Sequence, residues 1–202
     1  MKKYSPLRKA TVAVMVTVAL TLSAVGISHY IAPIQSAAAS APKASAAAAS
    51  QAAESQAHAL QTLNSFYKPA LKGQFPKLPG LTLGTSTRQD VVKAIGKPEV
   101  PGKDSDAFDV YGAEMGNPGY AISYKLNKIR EMRYFGTNVE RQTNIGGITL
   151  KMLVQQWGAP KSSTLFSTGK IKQKKVVYIR GDYKLEFIFN DNTHLDHINL
   201  TK

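Results

Sequence analysis

His194 and His197 lie three residues apart with Asp191 and Asp196 beside them, the one grouping in this sequence with metal-ligand character. Imidazole nitrogen and carboxylate oxygen together suit zinc and related cations. On a helix that spacing would put both rings on one face. Here the stretch reads as a turn entering a strand, where residues three apart point to opposite sides. Two histidines flanking a hairpin are therefore expected, with no metal held. Asp104, Asp106, Asp109 and Glu114 make an acidic patch in a basic chain. Asp104-x-Asp106 resembles the start of a calcium loop, but the glycine and closing glutamate of an EF-hand are missing, so a solvated loop is expected. Lys170, Lys172, Lys174 and Lys175 crowd a stretch that reads as a hairpin loop, with Arg180 and Lys184 nearby. Such a cluster can grip phosphate-rich wall polymer or anionic lipid; the competing reading is a solvated hairpin tip. No Ser-His-Asp order, glycine-rich phosphate loop or carboxylate pair at helical spacing stands out, and Ser86 reads as a helix cap, not a nucleophile. The expectation is a protein that is not an enzyme and uses no cofactor.

Those residues sit in a chain of 202 with a formal charge of +13 and no cysteine. Without cysteine there are no disulfides, no thiolate-bound zinc and no lipidated cysteine of a bacterial lipoprotein. The basic balance favours anionic surroundings such as cell-wall polymers or lipid headgroups. Lys2, Lys3, Arg8 and Lys9 precede an uncharged, mostly apolar stretch at 10–27, and Ala37-Ala38-Ala39 follows. Charged, apolar and small-residue regions in that order mark an export signal. Cleavage after Ala39 is favoured over an uncleaved anchor, because Thr11, Thr17, Thr21 and Ser23 dilute the apolar run. Either way the rest of the chain is secreted or displayed at the cell surface, touching the membrane only through its N-terminal segment. Nucleic acid is disfavoured as a partner by export and by the lack of a recognised motif.

The chain divides into an export segment (1–39), an Ala/Ser-rich spacer (40–53), an N-terminal helix and linker (54–80) and two modules (81–136 and 147–202). The spacer lacks side chains with which to build a core, and its second half is a candidate helix. Leu60, Leu63, Phe66 and Tyr67 give an amphipathic helix over 54–67. Leu71, Phe75 and Leu78 are expected to pin the Pro/Gly-rich linker. Each module opens with a helix running into Gly-x-Pro: Ile95-Gly96-Lys97-Pro98 and, 62 residues later, Trp157-Gly158-Ala159-Pro160. Ser86 with Gln89 reads as a capping box for the first helix, and Thr149 as the N-cap of the second. Trp157 is expected to anchor the core. Strands are predicted at 107–111, 120–126 and 129–135 in the first module, the last with a possible bulge. In the second they are predicted at 165–168, 176–180, 184–189 and 195–200. The fold class is α+β: two tandem helix-plus-antiparallel-strand modules forming one sheet with the helices on one face.

The residues from Leu81 to Pro98, with Tyr120-Ala121-Ile122-Ser123-Tyr124 and Ile129-Arg130-Glu131-Met132-Arg133-Tyr134-Phe135, resemble the YjgB-like family of exported Gram-positive proteins, a domain of unknown function. The resemblance spans roughly residues 66–200 and supplies no catalytic residues. At the level of architecture the helix-Gly-x-Pro-strand unit is also similar to β-lactamase inhibitory protein and to outer-membrane-assembly lipoproteins of the SmpA/OmlA type. Both likenesses imply work by protein contact.

The leading expectation is thus an extracytoplasmic protein-binding module that uses the sheet face away from the helices. With Ile122, Tyr124, Leu185 and Phe187 facing inward, Lys125, Lys184, Glu186 and Ile188 fall on the open face. Tyr178 and Arg180 join them if their strand has that phase, and an aromatic beside an arginine suits an interface hot spot. The partner would be an unknown extracellular protein. The alternative is an anionic cell-envelope polymer held by the four lysines, and a hydrolase is the remote third reading.

Overall fold

The computed structural model describes residues 41–104, 106–114, 116–137 and 145–202. The export segment and its cleavage site lie outside the described residues. The first element, α1 (Ala41–Ser65), begins well before the expected residue 54, so the described part of the Ala/Ser spacer is helical throughout. Residues 46–58 are exposed, whereas Ala59 and Leu63 are buried. The outer part of α1 thus rests on alanine's propensity and the inner part on packing. The inner part sits on the short turn Ile145–Gly147. Gly146 and Gly147 have φ of 60° and 69°. A Cβ on Gly146 would fall 2.8 Å from Thr62 Cγ2, so both backbone sign and space demand glycine. Among the described residues no helix is long and apolar enough to cross a membrane.

After α2 (Tyr67–Ala70), Phe75 and Leu78 of the linker are buried as expected, but Leu71 is 47% exposed and pins nothing. Helix α3 (Arg88–Ile95) is capped by Thr87, not Ser86. Thr87 Oγ1 accepts from the Asp90 amide at 3.2 Å, and the Thr87 amide donates to Asp90 Oδ2 at 2.7 Å, a reciprocal box. Ser86 is instead turned back into the preceding loop, where its Oγ accepts from the Thr82 amide. Helix α4 (Leu150–Trp157) is capped by Thr149, whose Oγ1 accepts from the Met152 amide at 3.1 Å. Both helices stop at glycine with nearly the same backbone, φ 85° and ψ −170° at Gly96 against 77° and −164° at Gly158.

Among the described residues there are seven strands: β1 (Phe108–Tyr111), β2 (Tyr120–Lys125), β3 (Lys128–Tyr134), β4 (Ser162–Thr168), β5 (Ile171–Arg180), β6 (Tyr183–Phe189) and β7 (Leu195–Thr201). They form one antiparallel sheet in the order β1-β2-β3-β7-β6-β5-β4. Two meanders, β1-β2-β3 and β5-β6-β7, meet at a short seam where Met132, Arg133 and Tyr134 face Leu200, Asn199 and Ile198. The β2–β3 loop is Leu126-Asn127, both at positive φ, one residue earlier than the sequence suggested. The expected bulge in β3 falls at Arg130: Ser123 pairs with Glu131 and Tyr124 with Ile129, so Arg130 is skipped. One core lies between the sheet and the helices. Phe66 and Phe75 edge onto Tyr134 there, while Leu153, Phe187 and Ile198 close the second half.

Candidate functional site

The sheet face away from α3 and α4 carries a groove of about 550 Å³ along β5, β6, β7 and β3. Strand alternation builds it. Met132, Tyr134, Leu185, Phe187, Ile198 and Leu200 turn inward to the core, which leaves Glu131, Arg133, Glu186, Ile188, His197 and Asn199 on the other side. Its charges compensate one another. Arg133 Nε donates to Glu131 Oε1 at 2.7 Å, and Lys175 Nζ lies 3.8 Å from Glu186 Oε2. The Arg133 guanidinium also stacks on Phe108 at 4.1 Å. At one end a relay of polar contacts ties the β4–β5 hairpin to β7. Thr168 Oγ1 donates to Gln173 Oε1, Gln173 Nε2 to Asn190 Oδ1, and Asn190 Nδ2 to Asp196 Oδ1. In the floor lies Asn199, only 6% exposed, whose Oδ1 has no hydrogen-bond partner. A buried acceptor left unpaired costs on the order of 1–3 kcal/mol, so this atom is a ready receptor for a donor brought by a ligand.

The expected residues divide between the faces. Glu186, Ile188 and Lys175 line the groove, while Lys184 and Lys125 lie on the same face outside it. Ile188 is buried in the floor, so it shapes the groove more than it meets a partner. Tyr178 and Arg180 are on the opposite side. Tyr178 shares the phase of Val176, is 3% exposed, and donates its hydroxyl to the Gly158 carbonyl at 2.8 Å; burial raises its pKa. The Arg180 guanidinium covers Tyr67 at 4.1 Å and Trp157 at 4.7 Å. Both residues hold α4 in place and form no hot spot on the open face. Open-face residues missed by sequence reading include Glu131, Arg133, Phe166, Ile171, Gln173 and Asn199; the first two lie on β3. The alternation of β3 around Met132 and Tyr134 carried the signal for the first two.

The lysine cluster does not exist as one patch. Lys172, Lys174 and Lys175 belong to β5, which is longer than expected, and only Lys170 sits in the turn. Alternation sends Lys172 and Lys174 to the helix side and Lys175 to the groove. Lys174 Nζ is held by Asn192 Oδ1 at 3.0 Å. The acidic patch is likewise divided. Asp109 is 1% exposed beneath α3, where it takes both Nε and Nη2 of Arg88 and the Gly102 amide. This is a buried ion pair where a solvated loop was expected. Asp106 pairs with Arg130, and Asp104 Oδ1 accepts from two amides of its own turn. A recess of about 370 Å³ opens over Arg88, Asp109 and Tyr124, but its carboxylate is already spent on the guanidinium and offers no free base. His194 and His197 contact different carboxylates, Asp191 Oδ2 at 2.7 Å and Asp196 Oδ2 at 2.6 Å. Hydrogen bonds from Thr193, then from His194, hold the Asp191 carboxyl well below the usual range. Among the described residues no three His, Asp or Glu side chains gather around a point that would hold a metal.

Residues 63–201 match the family described as "Domain of unknown function (DUF4309)". The chain belongs to this family. It is similar to the DUF4309 protein "Uncharacterized protein YjgB" of Bacillus subtilis strain 168, with 41% identity over 145 residues, 70% of this chain and 74% of that protein. A crystal structure of a DUF4309 family protein (YjgB) from Bacillus subtilis has the same fold, with a TM-score of 0.62 and 38% identity over 72% of this chain and 98% of that one.

Proposed function

We propose that this DUF4309 chain is an extracytoplasmic interaction module, binding a protein partner through the helix-free face of its sheet. The observation that carries this reading is the groove with the unpaired Asn199 Oδ1 in its floor. A polar, charge-balanced groove rimmed by Phe166 and Ile171 suits a mixed protein surface. It does not suit a polyanion, since two cations, Arg133 and Lys175, stand against the carboxylates of Glu131, Glu186 and Asp196. The sorting of the lysines to two faces weakens the wall-polymer reading further. Binding is favoured over catalysis because the buried carboxylate, Asp109, is neutralised by Arg88. Export rests on the charged, apolar and small-residue order of the N-terminus. The two helix-plus-meander halves are read as copies of one ancestral unit. Thr87 and Thr149, and Gly96 and Gly158, occupy equivalent cap positions 62 residues apart.

Crosslinking from intact cells, followed by capture of the full chain, tests the proposal. A partner that survives moderate salt and is lost in the Glu186→Ala/Asn199→Ala variant is expected. Recovery of anionic polymer alone, released as salt rises, would overturn it.

A further inference from the structure

Strand β4 is the bare edge of the sheet. It closes the order at one end, and all seven of its residues are exposed. It contains no charged residue, no proline and no glycine, whereas each of the other six strands carries at least one charged side chain. Proteins commonly blunt an edge with lysine, proline or a bulge, because unpaired amides and carbonyls recruit other strands. Here lysines stand only at the ends, Lys161 before the strand and Lys170 after it. Leu165 is 77% exposed and Ile171 58%. The opposite edge is treated differently. There β1 has four residues, and Val100 exchanges both backbone hydrogen bonds with Val110, closing part of that rim.

The charges beside β4 say what it would accept. Leu165 pairs with Lys174 and Ser167 with Lys172, so these lysines share the Leu165 face one strand inward. A strand added outside β4 would lie about 10 Å from β5, within reach of an extended lysine meeting a carboxylate. Lys172 and Lys174 are two residues apart, the spacing of same-face residues on any strand laid alongside. On the other face, Phe166 stands opposite Gln173 at the groove rim and offers an apolar contact.

We propose that β4 takes up an extended acidic peptide as an eighth strand, with carboxylates at alternate positions facing Lys172 and Lys174 and apolar side chains facing Phe166. Backbone pairing supplies the attachment and the two lysines select the sequence. A phosphate-rich wall polymer lacks the regularly spaced amides and carbonyls of a strand that would satisfy the edge. A second copy of this chain would bring two further lysines to the shared edge with no anion between them. The site shares Phe166 with the groove rim but uses neither Asn199 nor Glu186, so the Glu186→Ala/Asn199→Ala variant should bind the peptide unchanged, and the proposal stands or falls separately from the proposed function.

The probe is a short acetylated and amidated peptide of alternating glutamate and valine, titrated into the full chain and followed by amide chemical shifts and fluorescence anisotropy. Expected are saturable binding, shifts confined to β4 and the adjoining end of β5, and slowed amide exchange in β4. Leu165→Glu, which sets a like charge against the peptide's carboxylates, should weaken binding at least about tenfold with an unchanged thermal midpoint. Lys172→Gln/Lys174→Gln should weaken it and flatten its salt dependence while leaving the β4 shifts in place. The proposal is overturned by the absence of saturable binding, by equal binding of a lysine–valine peptide, or by shifts centred elsewhere. It is also overturned if the chain is a dimer that Leu165→Glu splits and the peptide cannot compete.

Discussion

The two helix-plus-meander halves share a frame and differ in what fastens it. Each helix is capped by threonine and stopped by glycine at equivalent positions. In the second half, the residue before that glycine is Trp157. Its ring meets Tyr67, Tyr178 and Phe187 edge-on at 5.2–5.5 Å, its Nε1 donates to Asn64, and Arg180 lies over it. In the first half the same place holds Ile95, partly buried like Trp157 but with no ring or N–H to make such contacts. There the helix is tied down from its other end, by Arg88 reaching to the buried Asp109. The two helices are thus fastened differently, one by an aromatic cage and one by an ion pair. The cage is the sturdier of the two, because a buried carboxylate forfeits its hydration to make the pair.

The largest effect that bears on this contrast is Trp157→Ala. It should cost about 3 kcal/mol, while Ile95→Ala costs roughly half that, because fewer apolar atoms are removed. Denaturant midpoints at constant slope measure both, and equal losses would dissolve the distinction. Next comes Asp109→Ala, which strands the guanidinium of Arg88 and should cost about 2 kcal/mol, moderated because Arg88 is itself half exposed. The paired replacement Arg88→Met/Asp109→Leu should recover most of that loss. A pair no better than Asp109→Ala alone would show that the charges hold α3 in a way packing cannot replace.

The smallest effect separates the caps. Thr87→Ala and Thr149→Ala should each cost about 1 kcal/mol near neutrality. Only the first cap is reciprocal, and its hydrogen bonds with Thr87, backbone first, lower the pKa of Asp90. A depressed carboxyl contributes stability above about pH 4, its ordinary range, and loses it as pH falls through the folded value. The cost of Thr87→Ala should therefore shrink in acid and that of Thr149→Ala should not. Parallel pH profiles for the two variants would refute the assignment.

Periodicity carried most of the architecture. The inward residues follow from alternation that was legible in Tyr120–Lys125 and Tyr183–Phe189, but the strand order and the β3–β7 seam do not, since alternation sets a residue's face and not its strand's neighbour. The errors have physical causes. Ser86 and Thr87 are both good caps, and only the 62-residue offset to Thr149 distinguishes them. Lysines along β5 mimic a loop, because a hairpin that extends past its neighbours is solvated on both faces. Tyr178 and Arg180 were hard to phase because Val176 and Val177 are both apolar and both buried. The Arg88–Asp109 pair joins residues 21 apart, and no local pattern announces such a contact. Asn199 looks ordinary in sequence; its unpaired oxygen follows only from the packing around it.

The outer stretch of α1 has a mechanical consequence. Its side chains over residues 46–58 are exposed, so hardly any tertiary energy resists its melting. Each residue that uncoils lengthens it from about 1.5 Å to about 3.4 Å. Pulled from its N-terminal end, this stretch would more than double its span before any of the sheet must give.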